Sequence, residues 1–279
     1  AAAGTTGQSG AITIQTGYAQ SGQGGAINIQ VGTGNSGIGG NVVLRAGTSA
    51  ISSGGTVKIS SGSGTATSSG EMHIRTSNSG LNGASGLLTL STGTSTSGNT
   101  GAIYVGTGEA TGGRGGSIQV TGGDGDTGVG GEIYVKAGDS SASSGGQVSI
   151  LTGSGTATSS GSMLVKTANA GSAGVSGLIA LSTGSTTSGN SGAIYIGSGS
   201  GVKGRAGAIY VTVGSGNSGS GGELVLSAGQ SSSASGGRVT IRSGSNSAGS
   251  SGNVLIRTYD AGTAGTSGLL ILSTGSAAS

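Results

Sequence analysis

A fifteen-residue period runs the length of the chain and limits its possible folds more than any other feature. Aligned segments read AITIQTG from Ala11, AINIQVG from Ala26, NVVLRAG from Asn41, TVKISSG from Thr56 and EMHIRTS from Glu71. They continue through LLTLSTG from Leu87 and AIYVGTG from Ala102 to LLILSTG from Leu269. The step is 15 residues except before Leu87, Leu178 and Leu269, where it is 16, and the starts define 18 units. Five steps of 15 and one of 16 form a 91-residue super-repeat that relates Ala11, Ala102 and Ala193.

Positions are numbered here from the first residue of each unit. Positions two and four are always Ile, Val, Leu or Met, as in Ile12 and Ile14, Val42 and Leu44, or Met163 and Val165. Alternation of this kind is the period-two signature of a strand with one buried face. Position six is small or β-branched (Thr16, Val31, Ala46), position seven is Gly in nearly every unit, and the last position is always Gly. Glycine brackets a segment in this way where the backbone needs unusual angles or a close approach. Small residues fill positions nine and eleven, as in Ala19 and Ser21 or Gly64 and Ala66. Together these features predict an all-β fold: a β-solenoid, or parallel β-helix, in which each unit is one flattened coil. Coils would pair in parallel at about 4.8 Å, with the small residues forming a second, closely packed wall. The expected organisation is a single continuous solenoid over residues 1–279, with super-repeats at about 11–101, 102–192 and 193–279. Residue 1 enters at position six and Ser279 stops at position eleven, as expected of an excerpt from a longer repetitive chain.

Composition sets the other bounds. Gly is 68 of 279 residues with Pro 0, which excludes collagen. Cys, Trp and Phe are absent, so there are no disulfides, and the core must be thin. Two aliphatics cannot by themselves offset the conformational entropy of fifteen ordered residues. Stability is therefore expected to come from neighbouring coils and neighbouring copies. A net charge of +3 is slight for this length and does not point to nucleic acid. No apolar run approaches the roughly 20 residues of a membrane span.

Three columns carry the candidate interaction residues. Position three collects Tyr104, Tyr134, Tyr195 and Tyr210, with Val43 and Val225 in the same column, and reads as a lateral contact surface. Position five is basic, with Arg45, Arg75, Lys136, Lys166, Arg242 and Arg257 supplying six of the eleven basic residues. The 16-residue units each precede a Leu at position one (Leu87, Leu178, Leu269), which reads as a register mark every super-repeat. The inserted residue is expected to make a bulge or wider corner that shelters this Leu. Column segregation of charge suits pairing between copies, with an anionic polysaccharide as a second partner.

Chemistry-bearing patterns are sparse. His73 stands alone, its super-repeat counterparts being Leu164 and Leu255, and reads as a solvated side chain. Asp124 and Asp126 lie in GGDGDTG, but Thr127 breaks the pattern of a Ca²⁺-binding nonapeptide repeat. GGRGGS, from Gly112 to Ser117, lacks the GK[ST] ending of a phosphate loop. No catalytic residue, cofactor site or metal site is expected, and the chain is not expected to be an enzyme.

These Gly-bracketed units with Ser/Thr-rich second halves resemble the β-solenoid repeats of extracellular fibre and cell-surface proteins. The resemblance is architectural and singles out no one family. It implies a structural protein that self-associates into an extracellular or cell-surface filament, or else a stalk or adhesin spacer. The chain also resembles short-coil ice-binding solenoids, in which positions three and five would both be Thr. Here those pairs are Thr13/Gln15, Lys58/Ser60, Tyr104/Gly106 and Thr240/Arg242, and ice binding is the third expectation.

Overall fold

A computed structural model describes residues 9–276. The expected starting and stopping positions of the chain lie outside those residues. The Cα framework divides into two units, Ala1–Lys136 and Ala137–Ser279. Each is built from the same repeat conformation. The chain runs unbent from the start of a repeat through its aliphatic positions. It then bends at positions ten to twelve, as at 35–37, 96–98 and 187–189, and turns back.

The return brings the last glycine of a repeat against its own sixth and seventh residues. In seven repeats a backbone bond closes this loop, with the N–H of the last glycine donating to the carbonyl of the position-seven glycine. Gly55 to Gly47 (2.8 Å), Gly146 to Gly138 (2.9 Å) and Gly237 to Gly229 (2.9 Å) are one set, spaced by the super-repeat. Gly70 to Gly62, Gly161 to Gly153 and Gly252 to Gly244 are another, each 2.9 Å, and Gly131 to Gly123 is the seventh. In the 16-residue repeats a shorter turn replaces it, from Gly83 to Gly80, Gly174 to Gly171 and Gly265 to Gly262.

This arrangement overturns the all-β solenoid. The described residues contain no strand and no helix, and every backbone hydrogen bond joins residues three or eight apart. A stacked coil would instead join each residue to its counterpart fifteen further on. In seven repeats the last glycine's N–H is spent inside its own repeat, and in the others it makes no bond to a neighbouring repeat among the described residues either. The aliphatic pair alone offers too little burial to hold one coil on the next. Beta-solenoid and beta-helix are therefore wrong descriptions of this chain.

In part of the repeats the last glycine is held by a steric restriction. A Cβ at Gly25 would lie 3.3 Å from the Cβ of Thr16, and one at Gly116 would lie 3.0 Å from Cγ2 of Thr107. The same approach recurs at Gly55 on Ala46 (3.3 Å) and at Gly177 on Thr167 (3.1 Å). Among the described residues none is buried, and the four that are partly covered, Ala46, Thr76, Ala137 and Thr167, all stand at position six.

Position six also governs closure. Six of the seven closed loops have Ala, Ser or Gly there: Ala46, Ser61, Gly122, Ala137, Ala228 and Ser243. Where the residue is Val, as at Val31 and Val213, its Cγ1 occupies the space beside Gly40 or Gly222 and the bond is not made. Thr16 and Thr107 substitute a longer contact, their hydroxyls donating to the carbonyls of Gly25 (3.2 Å) and Gly116 (3.3 Å). Thr152, which closes, and Ser198, which does not, depart from this rule without a structural reason. Val31→Ala is expected to let Gly40 N–H reach the Gly32 carbonyl. An amide temperature coefficient for Gly40 that falls to the value of Gly55 would establish it.

Candidate interaction surface

The aliphatic columns form the dominant surface feature, and in the single chain nothing buries them. From Ile27 onward the position-two side chains are 47–57% exposed, and the position-four side chains are 59–85% exposed throughout. The accessible area of the chain is 27900 Å². A compact protein of 25.5 kDa would expose about 10,000 Å², and its unfolded chain about 37,000 Å². The chain therefore keeps most of its apolar surface in contact with solvent, arranged as two residues per repeat at a fixed sequence spacing.

The position-three residues are exposed, as is nearly every described residue. Tyr104 and Tyr195 are each 94% exposed, Tyr210 86% and Tyr134 75%, and Val43 and Val225 are exposed beside them in the column. The basic residues Arg45, Arg75, Lys136, Lys166, Arg242 and Arg257 are all exposed. Arg257 also lies over the ring of Tyr259, with its guanidinium carbon 5.2 Å from the centroid, a cation–π contact. Arg75 borders a shallow depression that continues along Thr76, Ser77 and Asn78. Leu87, Leu178 and Leu269 are 81–88% exposed, so the extra residue of the preceding repeat does little to shelter them. It makes the Gly80–Gly83 type of turn instead. No family model, curated protein or solved structure matches this chain.

Two local features were not anticipated. His73 is not simply solvated: its Nε2 lies 3.0 Å from Oε2 of Glu71, two residues earlier on the same exposed segment. In five repeats position nine, expected to form a packed wall, holds the bend through a Ser or Thr hydroxyl. Its hydroxyl accepts the N–H of position twelve, from Ser52 to Ser49 (3.0 Å), Gly98 to Ser95 (2.9 Å), Ser143 to Ser140 (3.0 Å) and Ala234 to Ser231 (3.0 Å). Thr186 does the same for Gly189 at 3.2 Å. Side-chain oxygens that satisfy a turn N–H a few residues on are a known device of Ser, Thr, Asn and Asp. The Ser/Thr-x-x spacing at the bend was the available signal.

No group of three or more His, Cys, Asp or Glu side chains converges to hold a metal among the described residues, which include Asp124 and Asp126. No helix among them is long and apolar enough to cross a membrane.

Proposed function

We propose that this chain is a structural protein whose copies associate through the position-two and position-four aliphatics into an extracellular or cell-surface filament. One observation carries the reading: these side chains recur in all 18 units and stay in solvent in the single chain. Full burial of one such side chain is worth about 1.5–3 kcal/mol, or roughly 60–120 Å² at 25 cal/mol/Å². With the observed exposures, the two columns present roughly 1,300–2,600 Å² of apolar surface over the chain. A stable interface needs about 800 Å² from each partner. The partner that fits best is a second copy, because only a surface with the same sequence spacing offers an aliphatic pair to every repeat. The low charge of the chain opposes such association little. The basic residues at position five stand on the alternate face, clear of the aliphatic contact, where an anionic matrix could reach them.

Sedimentation velocity across a concentration series tests the reading. Assemblies that grow with concentration, with filaments in electron micrographs, are the expected result. A single monomeric species at all concentrations would overturn it.

A further inference from the structure

We propose that the position-three tyrosines, Tyr104 and Tyr195 foremost, are sites of covalent joining between copies by oxidative phenol coupling. The inference rests on the self-association just described and adds a modification to it. The chain has no Cys and no Trp, so tyrosine is the one side chain present that readily forms a coupling radical. All six tyrosines lie among the described residues and all are exposed. Four of the six share position three, whereas Tyr18 stands at position eight and Tyr259 at position seven.

Placement then separates the column from the remaining two. In an extended segment, positions two and four face one way and position three the other. Copies joined through their aliphatics therefore keep the tyrosine face outermost, where a further copy meets it. Tyr104 and Tyr195 are 91 residues apart and occupy equivalent places in successive super-repeats, so copies in matched register bring like tyrosines together. The next residue on the same face is Gly106 or Gly197, which leaves both rings open to a partner. Tyr259 is different, since the Arg257 guanidinium lies over its ring.

The co-reactant is a peroxide used by a haem peroxidase. Each phenol gives up one electron and one proton, and hydrogen peroxide takes two of each to become two waters. The two tyrosyl radicals form a carbon–carbon bond between ring positions ortho to the hydroxyl. The hydrogens on those carbons then shift to the phenolic oxygens, restoring both aromatic rings.

The test uses the full chain, first checked by sedimentation for assembly, then treated with hydrogen peroxide and a haem peroxidase. Dityrosine fluorescence and covalent multimers on a denaturing gel are expected, and mapped cross-linked peptides should pair position-three tyrosines with one another. The Y104F/Y195F variant should lose multimers several-fold, while Y18F/Y259F should keep most of them. If the assembled chain couples Tyr18 and Tyr259 as often as Tyr104 and Tyr195, or gives no multimers, this inference fails and the filament reading stands. If sedimentation shows no assembly at the outset, the filament reading fails, and this inference with it.

Discussion

Changing the aliphatics at positions two and four between Ile103 and Leu181 to Ser is expected to raise the assembly concentration at least about a thousandfold. That stretch spans one super-repeat and contains twelve such side chains, two in each of its six units. Each now shows 48–74% of its surface to solvent. At about 1.5–3 kcal/mol for full burial, the twelve hold roughly 11–22 kcal/mol of potential stabilisation. Association consumes much of this in lost freedom and ordering. Retaining only about 4 kcal/mol still corresponds to three powers of ten. Serine is the appropriate replacement because it removes apolar surface without adding charge repulsion. The control is a set of aliphatics in the return loops, Ile38, Ile51, Leu81, Val129, Val175 and Val202, which are even more exposed. Changing these to Ser should move the assembly concentration far less, because they occupy scattered loop positions and form no column. Equal effects from both sets would mean that total hydrophobicity, and no specific surface, drives association.

The repeat hierarchy was legible in the sequence because it is a property of the sequence. The 91-residue period reappears in the structure as equivalent loop closures at Gly55, Gly146 and Gly237. Alternation at positions two to four reads as a strand with one buried face, but the segment pairs with no neighbour and none of its described residues is buried. The solenoid did not follow, because alternation describes one segment and says nothing about which backbone groups pair. That choice depends on whether the last glycine bonds within its repeat or across repeats. Closure within a repeat goes mostly with small residues at position six, such as Ala46 and Ser61, whose size looks unremarkable in the sequence. The two glycines of each repeat were expected to mark unusual angles or close approach. Close approach accounts for the last glycine in some repeats, as at Gly116 against Thr107, and not in others, as at Gly70. Positive φ is confined among the described residues to Gly22, Gly37 and Gly219, all at position twelve of the bend. The tyrosine and basic columns are exposed together with nearly every other described residue, so exposure does not single them out. The role of Ser49, Ser95 and Ser140 as acceptors at the bend needed the bend to be located first.

Gly64→Val is expected to open the loop between Gly62 and Gly70, lowering its closed population by about tenfold, whereas a transplanted pair of residues should keep it closed. A Cβ at Gly64 would lie 2.7 Å from the carbonyl oxygen of Thr67 and closer still to that of Ser68. Both are backbone atoms and cannot step aside without moving the loop that ends in the Gly70 N–H to Gly62 bond (2.9 Å). The bond is exposed, so water takes over its partners, and the loss is limited to about 0.5–1.5 kcal/mol. The super-repeat contains its own control. Gly155 occupies the same place and meets the carbonyls of Thr158 and Ser159 in the same way. The third counterpart is Asn246, yet Gly252 still closes on Gly244. There the Asn246 Oδ1 accepts the N–H of Ala248 at 2.8 Å, and position twelve is Gly249 in place of Thr67. A Cβ at Gly249 would stand 3.0 Å from Asn246 Nδ2, so the Asn cap and the Gly work as a pair. Gly64→Asn alone should therefore weaken closure, and Gly64→Asn with Thr67→Gly should restore it, a coupling of neighbours that a double-mutant cycle measures directly. The readout is the temperature coefficient of the Gly70 amide in glycine-labelled protein, taken in the unassembled Ser background. A Val variant with an unchanged Gly70 amide would refute the steric account of position nine.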